Sequence, residues 1–218
     1  MQQTEKPVAK KQRVPNAERS AKTREKLIEA TINCLYELGY HQTTTVVVAK
    51  RAGVSRGAML HQFPSKADLM IETAHRLRDM RAATHHEALG HLADPREKFM
   101  KLIDVLWEVM ISPSGLARLD LMLGARSDPE LADRMNELND ELDIFHKARI
   151  WSQAEAMGIH PKYKDKIEAF TQLYGAATRG LAMDAFRPKS REGAEKSIAL
   201  LKEMQLDFLE KLFSDTDT

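Results

Sequence analysis

Residues 49–63, "AKRAGVSRGAMLHQF", decide the fold, because they place a single glycine between two short helix-forming runs. Neither the run before Gly53 nor the run after Ser55 is long enough to be stable as an isolated helix. Two short helices joined by a turn of about three or four residues that contains glycine form the helix-turn-helix pattern. Gly53 permits a positive φ in the turn, and Val54 is placed to fill the space between the helices. An ordinary helical hairpin fits the same letters, so both alternatives remain open at this point.

The composition predicts an all-α fold. Of 218 residues, 43% are hydrophobic and 30% are charged, which is typical of a globular chain. Only 8 Pro and 10 Gly occur, and Leu, Ala, Met, Glu, Lys and Arg dominate. The run at 43–48 is the one β-branched stretch. Its one-sided apolar pattern at Val48, Ala49 and Ala52 favours a short helix, even though its β-branched residues disfavour one.

Capping signals divide the chain into about nine helices and no strand. Asp94–Pro95, Ser112–Pro113 and Asp128–Pro129 each place a capping side chain before a proline at the first helical position. Glycine or proline follows most of the predicted helices and ends them. The predicted helices span residues 16–38, 45–52, 56–62, 66–89, 95–111, 113–126, 129–157, 161–186 and 191–213.

The charge distribution divides the chain into a basic front and an acidic body. Residues 1–66 carry 12 Lys/Arg against 5 Asp/Glu, a net of +7, and the remainder carries 21 against 27, a net of −6. A basic front suggests contact with a polyanion, although a solvated basic tail would also account for it. The predicted organisation is a disordered basic tail at 1–15, a helix-turn-helix domain at 16–64 and a helical body at 65–218.

Several classes of protein are disfavoured by what the sequence lacks. The N-terminus has no apolar signal-peptide core, no run is long enough to span a membrane, and Cys34 is the single cysteine, which together predict a cytoplasmic protein. No phosphate-binding loop or Gly-x-Ser-x-Gly motif occurs. The clustered histidines, His75, His85, His86 and His91, lack the i, i+3 or i, i+4 spacing of helical metal ligands. We therefore predict no enzyme, no metal and no cofactor.

Residues 39–70, "GYHQTTTVVVAKRAGVSRGAMLHQFPSKADLM", resemble the DNA-binding region of TetR-type transcriptional regulators. The resemblance covers residues 27–71. The matching positions are Gly39-Tyr40, Thr44-Thr45, Val48-Ala49, Ala52-Gly53-Val54-Ser55, Gly57, Phe63, Lys66 and Leu69. It implies an N-terminal three-helix helix-turn-helix domain followed by a helical body that binds an effector and forms a homodimer through its last two helices.

The resemblance also implies a set of DNA-binding residues. Thr44 and Thr45 would offer hydroxyls and free amides to a phosphate, and Arg56 would contact guanine. Two departures from the family pattern are Leu60, where an aromatic residue is expected, and the apolar pair Val46-Val47. The full predicted set is Thr44, Thr45, Val46, Ser55, Arg56, Gly57, Ala58, His61, Gln62 and Lys66.

Large apolar residues on the middle helices are candidates for an effector pocket, with simple core as the alternative. They are Trp107, Met110, Met122, Phe145, Trp151 and Tyr174. Polar groups that could orient a ligand are Arg118, Asp120, Arg126 and His146. Apolar stripes on the last two helices fit a dimer interface or an intramolecular core. They contain Phe170, Leu173, Ala177, Leu181 and Ala185 on the first helix, and Ile198, Leu201, Met204 or Gln205, Phe208, Leu209 and Leu212 on the second.

These features together predict a ligand-responsive transcriptional regulator. We expect a repressor that binds a palindromic operator in double-stranded DNA as a homodimer and is released by a small, apolar effector. A helix-turn-helix protein controlled by a protein partner, without a small-molecule effector, is the alternative function. A helical adaptor that does not bind DNA is a further one, and it predicts no salt-dependent DNA binding.

Overall fold

A computed structural model describes residues 16–214, apart from the side chains of residues 16, 141–146 and 214. The predicted basic tail at 1–15 lies outside the described residues. Within the described part, nine α-helices and two short 3-10 turns occur and there is no strand, which confirms the predicted all-α class. The helices are α1 (Asn16–Leu38), α2 (Thr45–Ala52), α3 (Arg56–Gln62), α4 (Lys66–Leu89), α5 (Pro95–Ile111), α6 (Pro113–Ala125), α7 (Pro129–Ala156), α8 (Lys164–Ala185) and α9 (Arg191–Ser214).

The capping side chains begin the helices where the sequence predicts. Asp94, Ser112 and Asp128 each accept a backbone N–H from the first turn of the helix that follows, beside a proline that has no N–H to satisfy. The predicted helix at 161–186 differs at its start, because Pro161–Tyr163 forms a 3-10 turn and α8 begins at Lys164.

The short helix α2 forms despite its β-branched residues. Val48 and Ala49 are buried, and Val46 projects outward, so the helix is stabilised by packing one face onto α1. Tertiary packing of this kind outweighs a helix-propensity deficit of a few tenths of a kcal/mol per residue, roughly the difference between valine and the good helix formers.

The largest hydrophobic core joins the first helices to the middle of the body. It contains Leu27 and Cys34 of α1 and Phe63 at the end of α3, all buried, and continues to Leu121 of α6 and Leu131 of α7. The predicted domain boundary after Pro64 therefore crosses a shared core. Helix α1 packs on α6, so a movement of α6 changes the surface on which the N-terminal helices rest.

Candidate DNA-binding surface and body cavity

The turn between α2 and α3 consists of Gly53, Val54 and Ser55. Gly53 has φ of +64°, in the left-handed region that glycine adopts without a Cβ penalty. Its N–H donates to Lys50 O at 3.2 Å, and the N–H of Val54 donates to Ala49 O at 2.9 Å. This pair of bonds is a Schellman motif, which ends α2 and turns the chain sharply into α3. The predicted positive φ of Gly53 is confirmed.

Hydroxyl caps shape the N-termini of α2 and α3. Thr44 Oγ1 accepts the N–H of Val47 at 3.3 Å, and Ser55 Oγ accepts the N–H of Ala58 at 3.2 Å. Both capping residues are exposed. Each hydroxyl hydrogen is not used by its own cap, so it can be donated to a phosphate oxygen, next to helix ends that attract anions.

The first turn of α3 faces outward. Arg56 and Gly57 are exposed, Ala58 is half-buried, and Met59 on the opposite side is buried in the core. A Cβ added to Gly57 would meet no atom within 4 Å, so the backbone there is open to close approach. Val46 of α2 and Leu60 of α3 are exposed apolar side chains on the same pair of helices.

The remaining residues of the predicted DNA-binding set differ in how exposed their side chains are. Thr45 is half-buried and His61 is exposed. Gln62 is half-buried, and its side-chain amide donates to Ser20 Oγ at 2.7 Å, which fixes the end of α3 to α1. Gln62 therefore holds α3 in position in this structure, whereas the sequence predicts that it contacts phosphate.

Lys66 is turned away from the surface on which the sequence predicts it. Its ammonium donates to Tyr40 O at 2.9 Å and lies 3.8 Å above the centre of the Tyr40 ring. Burial lowers the pKa of Lys66, while Asp128 and Asp120 act in the opposite direction. The predicted phosphate contact is corrected here, because the side chain follows the ring of Tyr40 inward and its ammonium binds the Tyr40 carbonyl, which also accepts the N–H of Thr43.

Tyr40 is the centre of the junction between the N-terminal helices and the body. Its hydroxyl donates to Asp128 Oδ2 at 2.7 Å, and this bond lowers the pKa of the Asp128 carboxyl. Burial and the same bond raise the pKa of the Tyr40 phenol. Its ring packs directly on Gly124 of α6, where an added Cβ would lie 2.1 Å from the ring carbon Cγ. Only glycine at position 124 fits this approach.

A cavity of about 580 Å³ lies in the helical body, between α4, α5, α6, α7 and α8. Its lining is rich in polar and charged side chains, with Arg81 and His85 from α4, Arg118 from α6, Arg149 from α7 and Arg179 from α8. Leu102, Leu106 and Ile150 supply apolar wall. Of the polar groups predicted to orient a ligand, Arg118 lines this cavity.

The six predicted pocket residues are not brought together around this cavity. Met110 is buried at the end of α5, Trp107 lies between two small core clusters, and Tyr174 is buried near Ile103. Met122 packs against the main core, and Trp151 belongs to a cluster at the far end of α7. Phe145 and His146 lie among residues whose side chains are outside the described part. The core alternative therefore describes the five visible residues.

Arg81, Arg149 and Arg179 are cavity residues that the sequence analysis missed, whereas Arg118 was among its candidates. A signal exists in α4, where Leu77, Arg81, His85 and Leu89 follow one another at four-residue spacing on one face. Leu77, His85 and Leu89 are buried. An arginine within an inward-facing apolar stripe is uncommon in a simple core and indicates a lined cavity.

Two further properties of the described residues bear on function. No helix among residues 16–214 combines the length and the apolar character that crossing a bilayer requires. Over the same part of the chain, His, Cys, Asp and Glu side chains form no group of three or more that could hold a metal ion.

The folded arrangement defines the class of the protein as a helix-turn-helix DNA-binding protein. Residues 27–73 match the family model described as bacterial regulatory proteins of the tetR family. This match confirms the resemblance of residues 39–70 and identifies the N-terminal part of the chain as a TetR-type DNA-binding region.

One curated relative and two solved structures are similar to this chain over most of its length. The transcriptional regulator CymR of Pseudomonas putida is 29% identical over 181 residues, which cover 83% of this chain and 87% of that protein. A transcriptional regulator from Rhodococcus sp. Rha1 has a similar fold, with a TM-score of 0.66 at 24% identity over 84% of this chain and 96% of that one. A protein proposed to be a transcriptional regulator, from Saccharomonospora viridis and in complex with choline, has a TM-score of 0.63 at 21% identity, over 87% and 96% of the two chains.

Proposed function

We propose that the protein is a cytoplasmic, ligand-responsive repressor that binds a palindromic operator as a homodimer and is released by a small molecule in the body cavity. The observation that carries this proposal is the position of α6. Arg118 of α6 lines the cavity, and Gly124, less than two turns further along, packs on Tyr40 of the N-terminal helices. One helix therefore contacts both the ligand cavity and the domain that binds DNA.

The surface offered to DNA combines one base-contacting group with several backbone-contacting groups. Arg56, in the exposed first turn of α3, can donate two hydrogen bonds to one guanine in the major groove. Thr44 and Ser55 present hydroxyls at helix N-termini, where a phosphate is favoured. Exposed Val46 and Leu60 add apolar surface beside these groups.

An unpartnered apolar face on α8 and α9 supports the homodimer. Leu173, Leu200 and Met204 are 61%, 55% and 48% exposed, which is unusual for large apolar side chains clustered on adjacent helices. A shallow groove between the helices is lined by small residues such as Ala177 and Gly180. Pairing this face with its copy across a two-fold axis would form a four-helix bundle.

The sequence prediction located this face on partly different residues. Ile198, Leu209 and Leu212, which the predicted α9 stripe contains, are buried within the chain itself. They form the intramolecular core that was the alternative interpretation. Met204, which the predicted stripe also contains, stays exposed beside Leu200, which the prediction did not name, because α9 packs on α8 and α5 through its Ile198 side.

Introducing charge into this face should abolish the dimer. In the variant Leu200→Glu/Met204→Glu, four carboxylates would be brought together across the two-fold axis and the burial of each apolar side chain, worth about 1.5–3 kcal/mol, would be lost. We expect a monomer at micromolar concentration by light scattering, with an unchanged helical circular dichroism spectrum. Leu123→Glu, at a leucine of α6 that is equally exposed, should remain a dimer. A wild-type chain that runs at monomer mass would remove the dimer from the account.

Release of DNA follows from the shared helix. A ligand that contacts Arg118 would shift α6, and the close packing of Gly124 on Tyr40 would transmit the shift to α1 and the turn. The ligand needs only to bind more tightly to the dimer whose two DNA-binding domains no longer match the operator spacing. A cavity of this size inside the body favours a small effector over control by a protein partner.

Selection of bound duplexes from a random DNA pool tests the proposed function. We expect an enriched palindrome whose half-sites lie about one helical turn, or a multiple of one, apart. Binding to it should weaken steeply as salt rises. A pool without enrichment, or an enriched sequence without two-fold symmetry, would refute the proposal.

A further inference from the structure

The described lining of the body cavity carries an excess of positive charge. Among the side chains that the structure describes, five cationic ones line the cavity, namely Arg81, Arg118, Lys147, Arg149 and Arg179, against two acidic ones, Asp165 and Glu168. The four arginines come from four different helices and converge on one space. Because like charges repel more strongly where water is partly excluded, bringing these arginines together favours an anionic group between them.

Arg81 is a half-buried member of this cluster. Its Nε atom is buried and has no hydrogen-bond partner in the described structure. Burial and the nearby Arg118, Arg149 and Arg179 lower the pKa of Arg81 to about 10. Among residues 16–214, with the stated side chains excepted, Arg81, Arg149 and Arg179 form no ion pair with a carboxylate. A guanidinium in such surroundings is suited to bind an anion from outside the chain.

The apolar part of the lining favours an anion that also carries an apolar group. Leu102, Leu106 and Ile150 form apolar wall beside the arginines. A volume of about 580 Å³ is within the range of small-molecule sites and larger than an inorganic ion needs. Guanidinium groups bind carboxylates and phosphates through paired, parallel hydrogen bonds, which fixes the orientation of the acidic group.

We propose that the effector is an organic anion, with its carboxylate or phosphate group held by Arg81, Arg118 and Arg149 and its apolar part against Leu102, Leu106 and Ile150. The proposal rests on the proposed function in taking this cavity as the effector site. It replaces the uncharged apolar effector expected from the sequence, because the residues that line the cavity are cationic.

Thermal unfolding with matched probes tests the charge requirement. Octanoate, octyl phosphate and inorganic phosphate are compared with octanamide and choline, all at one ionic strength set with sodium chloride. We expect at least one of the three anions to raise Tm, by about 5 °C at a hundredfold excess over its Kd. Octanoate against octyl phosphate separates the two acidic groups. Octanamide that stabilises as much as octanoate, or a wild-type Tm that responds to none of the anions, would overturn the proposal.

Two arginine variants distinguish a binding role from a structural one. Arg81→Met and Arg149→Met each remove one repelling charge, so the Tm without ligand should rise. The apparent affinity for the anion, measured from the rise in Tm that it causes, should fall at least tenfold. Arg191→Met, at an exposed arginine of α9, should change neither quantity. If Arg81→Met and Arg149→Met lower the ligand-free Tm and leave the anion response intact, these arginines are structural and the proposal is wrong.

Operator binding, measured by fluorescence anisotropy in the presence of each of the same small molecules, separates this inference from the proposed function. If an uncharged compound releases DNA equally from the wild type and from Arg81→Met, the proposal of an anionic effector is wrong and the proposal of a ligand-responsive repressor stands. If an anion stabilises the protein through Arg81 without changing its affinity for DNA, the cavity is an anion site but is not the effector site.

Discussion

Arg56→Ala is expected to abolish sequence preference while leaving weak, salt-sensitive binding to any duplex. Arg56 stands exposed in the first turn of α3, where its guanidinium can pair with one guanine in each half-site. Each such pair is worth about 1–3 kcal/mol, so two half-sites lose about 2–6 kcal/mol of discrimination. Binding to phosphates depends on other groups and should survive. Fluorescence anisotropy on the selected operator and on a scrambled duplex, at several salt concentrations, measures both quantities.

Arg191→Ala is the matched control for this variant, since it removes an exposed arginine at the opposite end of the chain. It should bind the operator and the scrambled duplex as the wild type does. If Arg56→Ala protects the same operator with the same preference, Arg56 is not the residue that contacts the bases.

Gly124→Ala is expected to destabilise the junction between α6 and the N-terminal helices. The added Cβ would lie 2.1 Å from Tyr40 Cγ and 2.5 Å from Cδ1, far inside van der Waals contact. The ring is held by its bond to Asp128 and by Lys66 above it, so it cannot move aside without losing these contacts. Overpacking of this kind costs about 1–3 kcal/mol, which is a fall in Tm of about 3–10 °C for a chain of this size.

Gly193→Ala makes the same change where there is room, since no atom lies within 4 Å of the added Cβ on α9. It should leave Tm unchanged or raise it, because alanine has the higher helix propensity. Equal Tm values for Gly124→Ala and the wild type would show that Tyr40 does not pack tightly on α6, and the proposed route from cavity to DNA would be lost.

Local signals made most of the fold predictable. The Asp-Pro and Ser-Pro pairs mark helix starts through short-range hydrogen bonds, and Gly53 marks the turn through its own backbone freedom. Such effects depend on residues only a few positions apart. The identity of α2 as a helix was also predictable, because Val48, Ala49 and Ala52 form a one-sided pattern despite their neighbours.

The candidate sites were less predictable, because they depend on residues distant in sequence. Lys66 turns inward only because the Tyr40 carbonyl and ring lie within its reach. Arg81 and Arg149 are 68 positions apart, and their convergence follows from the packing of α4 against α7. Large apolar residues such as Trp107 and Trp151 occur in cores and in pockets alike, so residue type alone did not separate the two.

Guanine methylation interference on the selected operator tests most directly whether α3 contacts bases from both halves of a dimer. Methylation blocks N7, one of the two guanine atoms that an arginine fork binds. We predict interference at one guanine in each half-site, related by the two-fold axis, for the wild type, and none at these positions for Arg56→Ala. Interference in a single half-site, or a pattern that Arg56→Ala leaves unchanged, would contradict the account.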